Sequence, residues 1–202
     1  MADRKQEILD AALRGFAEKG LAGTTVEEVR TRSGASVGSI YHHFGDKEGI
    51  AAALYVAILR DYQRGLLAVL EGHGDARHTV EGLVRHHLRW VASDRDRARF
   101  LLGGRPPRAV DEIRELNRRA FRATAGWLDD QVAAGRIRPI PFDLFYAVLI
   151  GPAQEFCRHW LEGRLDTSMR TAEGELAAAA WGALAPTPRP SPTPGPSPAR
   201  PS

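Results

Sequence analysis

Apolar side chains recur every three or four residues along almost the whole chain, whereas alternating β-branched stretches are hard to find. This spacing places the apolar side chains on one face of an α-helix, so the sequence predicts an all-α protein. A first helix is expected from about Arg4 to Lys19, with Gly20 where a left-handed C-terminal cap belongs. Its apolar stripe consists of Ile8, Leu9, Ala12, Leu13, Phe16 and Ala17.

Two short helices are predicted next. The threonines and glutamates of residues 24–28 give two overlapping capping boxes, in which a hydroxyl precedes a carboxylate by three positions. Gly34 closes this second helix. Ser36 then caps a third helix that carries Ile40 and Phe44 on its core side. Two short helices joined at a glycine turn form a helix-turn-helix.

Longer helices are predicted over the rest of the chain as far as residue 185. They are expected at about residues 46–70, 80–92, 97–102, 109–134, 142–161 and 168–184. The remaining stretch, residues 186–202, is rich in proline and has no side chain able to form a core, so we expect a disordered tail. We therefore divide the chain into a helix-turn-helix domain (1–47), a second helical domain (48–185) and the tail (186–202).

The charge distribution gives only weak support for a polyanionic partner. The whole chain has a formal charge of +3 and a pI of about 9.3. Residues 1–50, however, hold seven Lys or Arg and eight Asp or Glu, which sums to −1. DNA binding by this segment would therefore depend on a basic face of a nearly neutral domain, because phosphate contacts need only a few well-placed donors.

Several classes of protein are disfavoured by the composition. No apolar run approaches the roughly 20 residues of a membrane span, and no secretory signal is recognisable, so we expect a cytoplasmic protein without membrane contact. A single cysteine, Cys157, indicates no disulfide and no zinc site, and the adjacent His86 and His87 point to different faces of a helix. We find no catalytic or cofactor-binding motif, and expect neither an enzyme nor a metal or cofactor site.

Residues 4–50 resemble the DNA-binding domain of the tetracycline-repressor (TetR) family. The resemblance rests on the first helix ending at Gly20, the capping residues 24–28, the Gly34 turn and the run from Tyr41 to Lys47. It implies a regulator that binds a near-palindromic operator as a homodimer and is released by a small molecule, with the second domain serving ligand binding and dimerisation. The DNA-contacting residues it implies are Thr25, Ser36, Val37, Gly38, Ser39, Tyr41, His42 and Lys47.

The chemistry of several of these positions suits DNA. Val37 can contact a thymine methyl group, and Ser39 a base edge or a phosphate. Gly38 is costly inside a helix, and close approach of DNA would explain it, although fraying or crowding against a neighbour is the alternative. Tyr41 is expected at a phosphate rather than in the core. A phosphate would also explain Lys47 in the first turn of a helix, where a cation opposes the helix dipole.

Two further contacts are less specific. Thr25 caps the second helix and is expected in addition to present its backbone N–H to a phosphate. Arg30 and Arg32 are by default surface charges, although Arg32 is expected near the path of the DNA. Few of these residues can contact base edges, so DNA shape is expected to contribute to specificity.

The resemblance also implies a ligand chamber and a dimer interface in the second domain. Aromatic residues expected to line the chamber, with core packing as the alternative, are Trp90, Phe100, Phe121, Trp127, Tyr146 and Phe156. Interface residues expected on the last two helices, with packing inside one subunit as the alternative, are Phe145, Leu149, Trp160, Leu176 and Leu184. The helix after the helix-turn-helix is expected to transmit the conformational change from the ligand chamber to the DNA-binding helices. Two alternative functions remain. The chain could be a helical interaction module that does not bind DNA, or it could be an activator instead of a repressor.

Overall fold

The computed structural model describes residues 4–72 and 74–186, and within these residues the chain forms nine α-helices and no β-strand. The all-α prediction is confirmed. The helices are α1 (Arg4–Gly23), α2 (Val26–Ser33), α3 (Val37–Phe44), α4 (Lys47–Glu71), α5 (Ala76–Ser93), α6 (Arg95–Leu102), α7 (Val110–Ala133), α8 (Phe142–Leu161) and α9 (Met169–Leu184). The Pro-rich segment predicted to be disordered lies, apart from Pro186, outside the described residues.

Local signals determine the ends of the N-terminal helices. Gly20 has the predicted positive φ of 72°, but three helical residues follow it, so α1 bends at this glycine and ends later than expected. The Thr24 hydroxyl donates to the Gly20 carbonyl oxygen at 2.9 Å, which holds the bend. Thr25 caps α2 through a complete capping box with Glu28, and Gly34 (φ 65°) ends it.

The first four helices enclose an N-terminal apolar cluster. Ile8 and Phe16 of α1, Val29 of α2 and Ile40 of α3 are buried in it together with the first half of α4 as far as Ile58. The cluster therefore continues beyond residue 47, where the sequence places the end of the first domain. The division into domains stays a proposal.

The other helices form a second apolar cluster centred on α5. This helix packs against α4, α8 and α9, while α7 covers the outer side of α4. Three residues expected at a dimer interface, Phe145, Leu149 and Leu184, are at most 2% exposed inside the single chain. Phe145 and Leu184 have no surface left for a partner, which corrects the prediction for these two, because helical periodicity cannot tell a core face from an interface. Leu149 lines an apolar groove on α8 and α9. Trp160 and Leu176 stay partly exposed.

Among the described helices, none is long and apolar enough to cross a membrane. Cys157 is buried in the second cluster, and burial raises the pKa of its thiol to about 12. This matches its interpretation as a small apolar side chain.

Candidate nucleic-acid interface and ligand chamber

Helix α3 presents one face to the core and the other to solvent. Ile40 and Phe44 are buried and anchor the helix on the N-terminal cluster. On the opposite face Val37 is 47% exposed and Tyr41 is 54% exposed. This exposure excludes Tyr41 from the core of the chain.

The N-terminal end of α3 is open. The Ser36 hydroxyl accepts a hydrogen bond from the Ser39 amide at 3.1 Å, which fixes the start of the helix. A Cβ added to Gly38 would meet no atom within 4 Å, so no neighbour in the chain crowds this glycine. His42 is exposed one residue beyond Tyr41. The structure thus brings Ser36, Val37, Gly38, Tyr41 and His42 to one exposed helix, with Ser39 partly covered.

Lys47 lies beside this surface at the start of α4. Its Nζ donates to the Ala22 carbonyl oxygen at 3.3 Å, linking α4 to the end of α1. This contact gives a structural reason for a cation in the first turn, in addition to the expected phosphate. The preceding residue, Asp46, caps α4 by accepting from the Gly49 amide at 2.8 Å and pairs with Arg108 at 2.8 Å.

The structure corrects the expected role of the Thr25 backbone. Its N–H donates to the Glu28 carboxylate at 3.0 Å, and its hydroxyl accepts from the Glu28 amide at 3.2 Å. The N–H predicted to meet a phosphate is therefore already used by the capping box. The Thr25 side chain remains exposed at the start of α2.

The cations of α1 and α2 are largely neutralised by their neighbours. Arg30 bonds Glu27 at 2.6 Å, Arg32 bonds Glu18 at 2.5 Å, and a third pair links Lys19 to Glu28. The guanidinium of Arg32 holds the pKa of Glu18 below its ordinary value, and that of Arg30 does the same to Glu27. Arg32, expected near the DNA path, is held by this ion pair instead.

Three of the six predicted chamber residues line one cavity. A cavity of about 380 Å³ lies between α4, α5, α7 and α8, and its walls include Trp90, Phe121 and Tyr146. Phe100 instead stacks on Phe16 of α1. Trp127 packs on Phe145, and Phe156 packs against the second apolar cluster, so the core alternative describes these two.

Sequence reasoning missed the polar side of this chamber. Tyr62 of α4 lies between the two histidines of α5: its carbonyl oxygen is 3.0 Å from His86 Nε2, and its hydroxyl is 3.0 Å from His87 Nδ1. Gln63 donates to Asn117 at 2.8 Å across the same space. Each partner is remote in sequence, and no local pattern in α4 indicates the pairing. Within the described residues no cluster of His, Cys, Asp and Glu is able to hold a metal ion.

The N-terminal segment matches a known family. Residues 8–54 match the model of the bacterial regulatory proteins of the tetR family. The HTH-type transcriptional repressor KstR2 of Rhodococcus jostii (strain RHA1) is 37% identical over 81 residues, which are 40% of each chain. The HTH-type transcriptional regulator BetI of Burkholderia thailandensis is 43% identical over 58 residues, 29% of this chain and 30% of BetI. The chain thus spans 40% or less of these relatives.

The fold extends the likeness beyond the matched segment. The structure of the transcriptional regulator FadR from Bacillus subtilis, in complex with stearoyl-CoA, superposes with a TM-score of 0.75 at 18% identity, covering 88% of this chain and 98% of FadR. At this identity the likeness concerns the fold. The N-terminal segment of the chain, from α1 to the start of α4, is thus similar in sequence to the tetR family of bacterial regulatory proteins, and the chain as a whole is similar in fold to the FadR structure.

Proposed function

We propose that the protein is a transcription regulator that binds a near-palindromic operator as a homodimer and leaves it when a small molecule fills the chamber. The observation that carries the proposal is the solvent face of α3, where Val37, Tyr41 and the open backbone at Gly38 project from a helix anchored by its other face. A helix with small and polar groups at its N-terminal end fits the major groove. Such a role belongs in the cytoplasm, where bacterial DNA is.

Dimerisation is supported by an apolar groove on α8 and α9. The groove has a volume of about 350 Å³ and is lined by Leu144, Val148, Leu176, Ala179 and Ala183, among others. Leu144 is 54% exposed at its edge. We propose a second copy of this chain as the occupant, because one recognition helix contacts too few bases and a two-fold operator needs two. Of the interface residues expected from the sequence, Leu149 and Leu176 line this groove, whereas Phe145 and Leu184 do not.

A charge placed in the groove tests the dimer. Leu144→Glu is expected to yield monomers in sedimentation experiments and to weaken operator binding, because a desolvated carboxylate at the interface has no partner. Leu165→Glu is the matched control, since Leu165 is also exposed but does not line the groove. If both variants dimerise equally well, the dimer interface does not include this groove.

Release by a ligand is supported by the position of the chamber. Leu101 and Leu102 of α6 line the chamber, and their neighbour Phe100 contacts α1. A ligand that favours a different position of α6 would therefore change the setting of the recognition helices. FadR, whose fold is similar, was solved with stearoyl-CoA bound. Repression is the favoured direction because the relative KstR2 is named a repressor.

The decisive experiment is selection of bound DNA from a random duplex pool, followed by a salt titration with the selected sequence. An enriched near-palindrome and a clear salt dependence are expected. Absence of enrichment at low salt, with a folded dimer, would reject operator binding. It would favour an interaction module, for which the paired charges of α1 and α2 are the supporting observation.

A further inference from the structure

The ligand chamber adjoins a second, larger cavity. This groove has a volume of about 620 Å³ and runs along α7 from Arg105 towards Phe142. The chamber and the groove share the lining residues Arg105, Asn117 and Phe121, so the two spaces adjoin. A ligand longer than the chamber would reach the groove by passing between these shared side chains.

The chamber contains one polar atom without a partner. His87 is 3% exposed, and its Nδ1 is bonded to the Tyr62 hydroxyl, but its buried Nε2 has no hydrogen-bond partner among the described residues. An unsatisfied buried polar atom lowers stability. In the tautomer in which Nδ1 accepts from the Tyr62 hydroxyl, Nε2 carries the ring proton, and a ligand oxygen that displaces the side chains covering Nε2 and accepts from it removes this cost. Burial lowers the pKa of His87 to about 4, so the ring is neutral at pH 7. Gln63 donates one hydrogen bond to the Asn117 side-chain oxygen.

The groove is cationic on an apolar floor. Four arginines line it, and no carboxylate does. Two of them are paired outside the groove lining: Arg114 with Asp111 and Arg118 with Glu115. The other two, Arg105 and Arg122, form no ion pair with any described residue, and their charge is therefore available to a ligand. Phe121 is 40% exposed in the floor between them.

We infer that the effector is an elongated amphiphilic anion: its apolar body lies in the chamber with an oxygen bonded to His87 Nε2, and its anionic group lies in the groove on Arg105 and Arg122. The regulatory meaning of this ligand depends on the proposed function, but the binding site does not. A neutral molecule of the same length leaves the two arginines unpaired, and a cationic one is repelled by the groove. A plain alkyl body leaves His87 Nε2 unsatisfied.

A series of ten-carbon probes tests the head-group part by calorimetry on the full chain, below the micelle concentration. Decanoate is expected to bind about tenfold more tightly than 1-decanol, and decyltrimethylammonium more weakly than either. Arg105→Gln combined with Arg122→Gln is expected to bring decanoate and 1-decanol within about twofold of each other. Arg119→Gln removes a charge from the same helix outside the groove and is expected to keep the preference.

A second pair of probes tests His87. The keto oxygen of 9-oxodecanoate is expected to improve binding about fivefold over decanoate, the effect of one neutral hydrogen bond. His87→Asn keeps a polar atom near the Nδ1 position and removes Nε2, so it is expected to abolish this advantage while preserving the head-group preference. Thermal unfolding of each variant verifies that the chain is folded.

Equal binding of decanoate and 1-decanol, or a head-group preference that survives the double arginine variant, would overturn the anionic subsite. Equal binding of the keto probe and decanoate would overturn the His87 contact. These titrations contain no DNA, so they fail or succeed independently of the operator selection. If the probes bind but no operator is enriched, the ligand site is supported and the proposed regulatory function is rejected. If an operator is enriched but the probes do not bind as expected, only the proposed ligand class is rejected.

Discussion

Phe16 of α1 stacks on Phe100 of α6, with ring centroids 5.6 Å apart and an interplanar angle of 11°. One ring belongs to the N-terminal apolar cluster, and the other precedes Leu101 and Leu102, which line the chamber. The stack is therefore a direct contact between the wall of the ligand site and the helices that position α3. In the proposed mechanism, α6 would therefore transmit a ligand-induced change together with α4.

Replacing Phe100 by leucine is expected to weaken communication between the sites. Leucine keeps the apolar burial but loses the stacking, which contributes about 0.5–1.5 kcal/mol for an aromatic pair. The ratio of operator Kd values measured with and without decanoate is expected to fall about threefold, by fluorescence anisotropy. Phe156→Leu changes an aromatic residue of the second cluster away from α1 and is expected to leave the ratio unchanged.

Removing the polar groups beside α3 is expected to weaken binding to every DNA sequence alike. Tyr41→Phe with Lys47→Ala removes two phosphate donors, so the slope of log K against log salt is expected to decrease by about 0.9 for the lysine charge. Arg30→Ala changes the net charge equally but removes a cation already paired with Glu27, and it serves as the control. An unchanged slope in the double variant would contradict the phosphate role.

Ser39→Ala is expected mainly to alter sequence preference.

Gly38→Ala is expected to raise the free energy of unfolding while lowering the affinity for operator DNA. The added methyl group meets open space in the free chain and a helical alanine is favoured over glycine by up to about 1 kcal/mol, so unfolding should become harder. Operator affinity should nevertheless fall if DNA approaches this backbone. Gly126→Ala on α7, where a Cβ also meets no atom within 4 Å, should stabilise similarly without affecting DNA binding. Undiminished operator affinity of Gly38→Ala would refute the close approach.

Acid is expected to destabilise the protein through His87 before the carboxylates titrate. Burial lowers its pKa to about 4, whereas an unfolded histidine titrates near about 6.5. Between these values the unfolded chain binds a proton that the folded chain does not, so the free energy of unfolding falls as pH is lowered. The slope approaches about 1.4 kcal/mol per pH unit below 6.5 and vanishes above it.

Urea unfolding from pH 7 to pH 5 measures this slope. His87→Asn is expected to reduce it by about one proton, irrespective of its stability at pH 7. The pKa of His86 is also lowered by burial, so the difference between the wild type and the variant, not the wild-type curve alone, isolates His87. Parallel curves for the two proteins would contradict a buried neutral His87.

The sequence predicted those features that depend on residues close together in the chain, and missed those that depend on residues far apart. Caps at Thr25, Ser36 and Gly34 were predictable because each depends on residues within one helical turn. The contact between Tyr62 and His87 joins residues 25 positions apart and depends on how α4 packs on α5. The burial of Phe145 likewise depends on the crossing of several helices, which periodicity within α8 does not specify.

The ion pairs within α1 and α2 have a consequence for how such a protein searches a chromosome. Non-specific attraction to DNA grows with each cation that can release counterions, and here Lys19, Arg30 and Arg32 are already occupied by carboxylates. If the protein binds DNA as proposed, random sequence would therefore retain it more weakly than it would with these cations unpaired, while the groove contacts proposed for α3 would be unaffected. A genome offers about 10⁶–10⁹ competing sites, so low retention at each of them leaves more molecules free to occupy the few correct ones.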